Sequence, residues 1–209
     1  MEYKTSNMAV SNSNTVNLND IINTYKNGYL KIYTGPMYAG KSTVVTNIYK
    51  QALSCNIKTV VLTHQTETRY SIEHLSTHSK QHIPCCKYNT ITEFIKDKYG
   101  EIMTADIILI DEAQFFEDLL EVLQLVDCLK KRVYVFGLVG DFKRNKFGNI
   151  ADLLVHCDDI ENLSDKCNLC TNRSVFSSRT IKSDSQILIG SVESYQSLCR
   201  QCYNSGMIL

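Results

Sequence analysis

Segments rich in apolar residues alternate along this chain with segments whose apolar positions recur at helical spacing. Apolar runs of strand length predict β-strands at residues 29–34, 57–63, 105–110 and 132–139. Apolar positions three and four residues apart predict helices at residues 43–53, 91–99 and 115–129. A continuous apolar strand is typical of a sheet that is covered on both faces. The alternation therefore predicts an α/β fold built on a parallel sheet.

Three segments differ from this pattern. Residues 1–28 are rich in Asn, Ser and Thr, and we interpret them as a flexible N-terminal tail with one short helical turn near Leu18. Residues 64–84 are polar and contain four of the five histidines, which predicts a long surface loop. From about residue 160, short strand-like runs and paired cysteines replace the helical spacing, and no helix is predicted. The chain therefore divides into a tail at 1–28, an α/β domain at 29–160 and a small domain at 161–209.

Composition narrows the class of protein. The 209 residues have a formal net charge of zero and are 44% hydrophobic, which is ordinary for one or two globular domains. Nucleic-acid binders usually have a large basic excess, so no nucleic-acid partner is expected. No apolar run is long enough to span a membrane, and the N-terminus lacks the pattern of an export signal. With nine cysteines, we expect a reducing, cytoplasmic compartment, with thiols or metal sites in place of disulfides.

The most specific motif lies between the first predicted strand and the first predicted helix. The phosphate-binding pattern G-x-x-x-x-G-K-[ST] is matched by Gly35, Pro36, Met37, Tyr38, Ala39, Gly40, Lys41 and Ser42. In this pattern main-chain N–H groups face phosphate oxygens, the lysine reaches the β- and γ-phosphates, and the hydroxyl ligates Mg²⁺. The sequence therefore predicts a site for a nucleoside triphosphate with Mg²⁺. The alternative is a glycine-rich turn that binds nothing.

A second candidate element is the acidic pair Asp111-Glu112, which directly follows a predicted strand. Ligands of open parallel sheets sit beyond the carboxyl ends of the strands, so Asp111 is placed to hold Mg²⁺ and Glu112 to face the γ-phosphate. A carboxylate there can accept a proton from the attacking group. Water as the attacker gives an NTPase, and a hydroxyl gives a kinase. The alternative is a pair that only caps the next helix.

Two C-x-x-C pairs lie in the C-terminal region, at Cys167 and Cys170 and at Cys199 and Cys202. Four thiolates satisfy one tetrahedral Zn²⁺ and leave no position open for catalysis, so we predict a structural zinc that joins two distant segments. A redox dithiol is the competing interpretation, although it needs only one pair.

The other cysteines give weaker signals. A second metal site could be formed by His78, His82, Cys85 and Cys86, but adjacent cysteines rarely both bind one metal. Cys55, Cys128 and Cys157 lie in or beside apolar segments and are interpreted as core thiols.

Together these segments resemble the type II (cellular-type) thymidine kinase family. The matching stretches lie at residues 34–43, 68–71, 111–116, 137–144 with 147–148, and 189–195 leading into 199–202. They occur in the family's order with similar gaps, and the resemblance covers about residues 29–203.

The resemblance implies a P-loop NTPase-type parallel sheet, with a small C-terminal zinc-bound lasso domain that closes over the nucleoside. It implies transfer of the γ-phosphate of ATP to the 5′-hydroxyl of thymidine, which gives dTMP for pyrimidine salvage and DNA precursor synthesis. A homotetramer is also implied by the resemblance alone.

The resemblance assigns roles to particular residues. Glu112 is implied as the general base, and Lys41 and Arg69 as catalytic groups beside the transferred phosphate. Residues 35–42 with Asp111 and Gln114 are implied to bind ATP and Mg²⁺. The pocket for the base and sugar is implied to contain Met37, Leu138, Phe142, Phe147, Ile187, Leu188, Ile189, Gly190, Ser191 and Tyr195. The chain departs from the family at Val139, where Asp is usual, and at Ser191, where Gly is frequent.

Two other classes of function remain open at this stage. The stretch Asp111-Glu-Ala-Gln114 imitates the second motif of helicase-type ATPases, although the chain is too short for two motor lobes and has no net charge. The other class is a binding module that docks a partner through the cysteine region and uses nucleotide as a switch. ATP consumption with thymidine, with single-stranded RNA or with neither separates the three.

Overall fold

The computed structural model describes residues 18–66, 74–76, 82–187 and 194–206. Its strands are β1 Tyr29–Thr34, β2 Thr59–His64, β3 His74–Ser76, β4 His82–Pro84, β5 Cys86–Tyr88, β6 Ile107–Asp111, β7 Arg132–Phe136, β8 Asp159–Asn162, β9 Phe176–Arg179 and β10 Tyr195–Leu198. Six of them form one parallel sheet in the order β5-β2-β6-β7-β1-β8. The predicted α/β fold with a parallel sheet is therefore confirmed.

Apart from α2, which has 14 residues, the helices are short, and several connections contain single helical turns. The α-helices are α1 Leu18–Thr24, α2 Lys41–Ser54, α3 Ile91–Asp97, α4 Tyr99–Thr104, α5 Ile150–Leu153 and α6 Arg200–Gly206. Single 3₁₀ turns lie at Ala113–Phe115, Leu119–Glu121 and Leu154–His156, and a π-helical turn lies at Gln124–Cys128. Among the residues described, no helix has both the length and the apolar character needed to cross a membrane.

The strands of the sheet bury both faces. In β1, Leu30 and Ile32 join one core layer, whereas Tyr29 and Tyr33 join the other. Helices α3, α4 and α5 and the turns after β6 cover the first layer, and α1 and α2 cover the second. Every residue of β1 and β6 is buried, which explains the continuous apolar runs in the sequence.

Several predicted elements need correction. The helix predicted at residues 115–129 is not one α-helix, because the helical part begins at Leu119 and passes from a 3₁₀ turn at Leu119–Glu121 to a π-helical turn at Gln124–Cys128. The loop predicted at 64–84 contains strands β3 and β4, which pair antiparallel. The C-terminal region contains helix α6, although no helix was predicted there. The other predicted strands and helices are present with ends shifted by a few residues.

Secondary-structure elements lie at or across the boundaries predicted for the three domains. The predicted helical turn near Leu18 is α1, and Leu18 is 1% exposed in the core layer beneath it. Strand β8 crosses the predicted boundary at residue 160 and pairs with β1. The described residues from 163 to 206, called the C-terminal lobe below, contain the antiparallel pair β9–β10 and α6. The division into three domains stays a prediction.

Candidate active site

The phosphate-binding motif forms the connection between β1 and α2. Gly35 has a φ of 138°, and a Cβ there would lie 2.3 Å from the carbonyl oxygen of Leu163, so only glycine fits. The N-cap of α2 is Gly40, in a left-handed conformation with no side-chain cap. The first amides of α2 are therefore not capped by a side chain at Gly40, an arrangement that favours an anion.

Lys41 lies folded over this loop. Its Nζ donates to the carbonyl oxygens of Gly35 at 2.9 Å and of Pro36 at 2.8 Å. These contacts hold the ammonium group against the main chain of the motif. The predicted contact of Lys41 with phosphate stays a prediction.

Asp111 ends β6 and meets the first turn of α2. The Ser42 Oγ donates to its Oδ2 at 3.2 Å, and the carboxylate is 1% exposed. Burial, reinforced by the negative charge of Glu112, raises the pKa of Asp111 to about 7. A buried carboxylate beside a hydroxyl is an oxygen-rich donor set that suits Mg²⁺, and the cation would offset the cost of burying the charge.

Glu112 has a φ of 53°, a left-handed conformation that is rare for residues other than glycine. Gln114 fixes its carboxylate, since the Nε2 of Gln114 donates to Glu112 Oε2 at 2.6 Å. The Oε1 of the same side chain accepts from the N–H of Leu138 at 3.1 Å. Gln114 is 3% exposed, and a Cβ at Gly148 would lie 2.1 Å from its carbonyl oxygen. The carboxylate of Glu112 is therefore held in place by a buried side chain that is itself fixed by the main chain.

The role predicted for Gln114 from the sequence was ATP and Mg²⁺ binding. In the structure both ends of its amide are bonded within the protein, and its predicted role stays a prediction. Sequence reasoning missed these two contacts, since no spacing rule connects residue 114 with Leu138.

The predicted pocket residues fall into two groups. Phe142 and Tyr195 meet through Arg179, whose guanidinium carbon is 3.8 Å from the Phe142 ring centroid and whose Nη2 donates to the Tyr195 hydroxyl at 2.6 Å. Phe147 is 8% exposed and packs edge-on against Phe115, with ring centroids 5.6 Å apart.

The other predicted pocket residues are less constrained. Met37 and Leu138 are half-buried, and Ile187 is 45% exposed. Arg69, Leu188, Ile189, Gly190 and Ser191 lie outside the described residues. Their predicted roles stay predictions.

The four predicted zinc ligands come together. Their Sγ atoms all lie within 4.8 Å of one another in a group that could hold a metal ion. A tetrahedral Zn²⁺ with Zn–S bonds of about 2.3 Å has ligand sulfurs about 3.8 Å apart. The Sγ of Cys170 is 3.7 Å from that of Cys199 and 3.6 Å from that of Cys202, so the cluster fits zinc. These separations are far longer than a disulfide bond.

The structure gives less support to the other cysteine predictions, which are the second metal site and the three core thiols. His78 lies outside the described residues, and burial raises the pKa of the Cys85 thiol to about 11, which disfavours the thiolate that binds metal. Within the described part of the chain, the four cysteines are the one group of three or more His, Cys, Asp or Glu side chains that lie close enough together to hold a metal. Cys55 and Cys128 are exposed, so their interpretation as core thiols is wrong, and Cys157 is half-buried.

Comparisons with known proteins agree with this geometry. Residues 28–203 match the family model described as thymidine kinase. The chain is 34% identical over 186 residues to a thymidine kinase of Oryza sativa subsp. japonica, covering 87% of this chain and 68% of the relative. It is 34% identical over 185 residues to thymidine kinase 1 of Dictyostelium discoideum, covering 85% of this chain and 78% of the relative. It is 33% identical over 178 residues to a thymidine kinase of Yaba monkey tumor virus, covering 85% of this chain and 96% of the relative.

Proposed function

Because this chain belongs to the thymidine kinase family, we propose that its phosphate loop and Glu112 are the groups that transfer the γ-phosphate of ATP to the 5′-hydroxyl of thymidine. One observation carries the assignment of the site. Ser42 of the phosphate loop is bonded to Asp111 at 3.2 Å, and Glu112, held by Gln114, is the next residue. A phosphate-binding loop, a metal-binding carboxylate and a candidate base therefore meet at one edge of the sheet.

Ser42 and Asp111 would hold Mg²⁺. When bound there, the cation would supply positive charge to offset the charge of the phosphates. The raised pKa of Asp111 reflects the cost of keeping this buried carboxylate charged without a cation. Since Mg²⁺ prefers oxygen ligands, the pair supports the magnesium assignment.

Glu112 would accept the proton of the thymidine 5′-hydroxyl as that oxygen attacks phosphorus. Gln114 restricts the carboxylate, so less freedom is lost on reaching the reactive arrangement. Lys41 would exchange the two loop carbonyls for phosphate oxygens when ATP binds. Arg69 is proposed from the family resemblance to act beside the same phosphate.

The nucleoside would bind where Phe142, Tyr195 and Phe147 present aromatic surface. Thymine is flat, neutral and carries a methyl group, so aromatic packing and main-chain hydrogen bonds suit it better than a basic groove. The zero net charge of the chain supports a small neutral acceptor over a nucleic acid. Residues 187–191 are proposed to close the pocket.

We also propose a structural metal, an oligomeric state and a cellular location for this protein. The geometry of the four cysteines supports a structural Zn²⁺. Family resemblance supports a homotetramer, which sedimentation would detect. The thiol-rich composition supports a cytoplasmic location, which fractionation would test.

The proposed function is tested by following ADP release and dTMP formation from ATP and thymidine with the purified full chain. We expect ADP release that requires both thymidine and Mg²⁺ and that matches dTMP mole for mole. ATP consumption that RNA stimulates and thymidine leaves unchanged would contradict the proposal and support a helicase-type ATPase.

A further inference from the structure

Met37 is the third residue of the phosphate loop. Its main-chain N–H and carbonyl groups both form hydrogen bonds with side chains of the C-terminal lobe. Its N–H donates to the Ser177 Oγ at 2.9 Å, across 140 residues of sequence. Its carbonyl oxygen accepts from the Ser197 Oγ, across 160 residues. We call these two hydrogen bonds the Met37 clamp.

The two serines form one unit. Ser177 in β9 and Ser197 in β10 are directly opposite each other in the antiparallel register. They are 6% and 2% exposed, so water does not readily replace either bond. A directly opposed pair on adjacent strands places both hydroxyls on one face of the hairpin. The phosphate loop is therefore bonded to one β9–β10 hairpin and not to two independent side chains.

The same hairpin is bonded to the four-cysteine cluster. Asn168, between Cys167 and Cys170, accepts from the Ser197 N–H through its Oδ1 at 2.7 Å. The N–H of Asn168 donates to the Ser197 carbonyl oxygen at 2.9 Å. Cys199 follows Ser197 by two residues and is packed with Cys167 in the small core of the lobe. Zinc ligands thus flank Ser197 from both segments of the cluster.

The phosphate loop has a structural need for such support. Tyr38, the residue after Met37, has a φ of 64°, a left-handed conformation that costs free energy in a residue with a side chain. Strained conformations of this kind persist where the surrounding structure fixes them. With Met37 fixed at both main-chain groups, the chain enters Tyr38 in a defined direction.

We propose that Ser177 and Ser197 are positioning residues that transmit the order of the zinc cluster to the phosphate loop through Met37. This rests on the proposed function only in taking the loop to be the site of the triphosphate. Zinc fixes the segments that hold Asn168 and Ser197, the serine pair fixes Met37, and the loop amides are then ordered before the donor arrives. Ordering the loop in advance lowers the entropy cost of binding.

The first test measures binding of MgATP to the zinc-loaded full chain by calorimetry, without thymidine. Ser177→Ala and Ser197→Ala should each weaken binding by about 2- to 10-fold, the usual worth of one neutral hydrogen bond. Ser177→Thr keeps the hydroxyl and should restore most of the affinity. Ser178→Ala is the matched control, because this neighbour points to the other face of β9. Equal affinity of all these variants would overturn the proposal.

The second test asks whether zinc acts through the clamp. Cys199→Ser should weaken MgATP binding in the normal chain, and much less in the Ser177→Ala, Ser197→Ala background, because the path is already broken there. Additive losses would overturn the proposal, as would metal analysis that finds no zinc in the normal chain. Where a cysteine variant fails to fold, amide exchange replaces it. The Met37 N–H should exchange faster in zinc-loaded Ser177→Ala than in Ser178→Ala, and equal rates would again overturn the proposal.

The affinity for MgATP and the amide exchange of Met37 are both measured without thymidine phosphorylation. A chain with an intact clamp and no kinase activity would contradict the proposed function alone. A chain that phosphorylates thymidine but shows additive losses and unchanged Met37 exchange would contradict the clamp alone.

Discussion

At the scale of single residues, the site depends on side chains held in unfavourable or fixed states. Glu112 adopts a left-handed backbone conformation, Asp111 is a buried carboxylate, and Gln114 is bonded at both ends of its amide. The left-handed backbone of Glu112 and the buried charge of Asp111 cost free energy and persist only where neighbours determine them. Substitutions here should therefore change catalysis more than they change binding.

Glu112→Gln tests the proposed base. The amide keeps the shape of the side chain but accepts no proton, so turnover should fall by about 10²- to 10⁴-fold. Binding of MgATP, measured by calorimetry, should stay close to normal. Glu117→Gln, an exposed residue nearby, is the matched control. Turnover within a factor of two of the normal chain would remove Glu112 from this role.

Gln114→Ala tests the orienting contact. Without the donor at 2.6 Å, the Glu112 carboxylate gains freedom, and kcat should fall by about 10- to 100-fold. The KM for ATP should change little, because Gln114 is bonded to the protein and not to the phosphate loop. If instead the KM for ATP rises and kcat is preserved, Gln114 binds the nucleotide as first predicted from the sequence.

His64 gives a pH-dependent prediction. Its Nε2 is 3.1 Å from the Asn89 carbonyl oxygen, and its Nδ1 accepts from the Thr66 N–H at 3.1 Å, so the ring is held neutral. Burial lowers its pKa, although the nearby carboxylates of Asp118 and Glu117 oppose the shift. The unfolded chain therefore binds a proton at a higher pH than the folded chain does, and the free energy of unfolding should decrease as pH falls below about 6.5.

The measurement is the slope of the unfolding free energy against pH, from denaturant titrations between about pH 7 and pH 5. His64→Gln should make this slope smaller, since the amide does not titrate. His156→Gln, at an exposed position, is the control for the loss of a histidine. Equal slopes for the two variants would contradict the assignment.

At the scale of elements, predictions succeeded where burial leaves a periodic signal. Strands β1, β6 and β7 were predicted because both faces of the sheet are covered, so their residues are apolar whichever way they point. The phosphate loop was predicted because its chemistry needs a fixed spacing of glycine, lysine and serine. The four cysteines were predicted as ligands for the same reason.

Predictions failed where a distant contact decides the local structure. The apolar spacing at 115–129 suggested a helix, yet Asp118 accepts from the N–H of Ile91 at 2.8 Å and of Thr92 at 2.9 Å. Asp118 thereby supports the start of α3, and the chain around it makes 3₁₀ turns instead. The contacts of Gln114 with Leu138 and of Met37 with Ser177 likewise join positions that no local pattern relates.

Arg179 in β9 gives a prediction at this scale. It donates to the carbonyl oxygens of Ser183 at 2.9 Å, Ser185 at 2.6 Å and Gln186 at 3.2 Å, and so shapes the segment that leads to residue 187. Arg179→Lys keeps the charge but loses the planar fork, so the KM for thymidine should rise by about 10-fold or more.

Lys182→Ala, an exposed change in the same segment, is the control for Arg179→Lys. Steady-state kinetics with thymidine and ATP varied separately distinguish the two substrates. An unchanged KM for thymidine would show that this segment does not position the nucleoside.

At the scale of the whole molecule, the cluster of cysteines joins two segments of the C-terminal lobe, and Ser177 and Ser197 of that lobe bond to the phosphate loop beside the sheet. Zinc bound by the folded chain would add its free energy of binding to stability. At a free zinc concentration about 1,000 times the dissociation constant, this amounts to about 4 kcal/mol.

Removal of zinc by a chelator should therefore lower the Tm by about 10 °C. Differential scanning calorimetry measures this shift, and metal analysis before and after confirms one zinc per chain and its release. Readdition of zinc should restore the Tm, whereas readdition of Mg²⁺ should not. A Tm that is unchanged after verified zinc release would show that the cluster does not stabilise the fold.

The long sequence separation of the Met37 clamp has a consequence for synthesis on the ribosome. The phosphate loop leaves the ribosome early, but the serine that binds the Met37 carbonyl lies 160 residues further along the chain. A nascent chain, or a product of premature termination, therefore carries the nucleotide motif without the contacts that order it. Incomplete chains should bind ATP weakly, and full affinity for ATP should arise only after Cys199 and Cys202 have been synthesised.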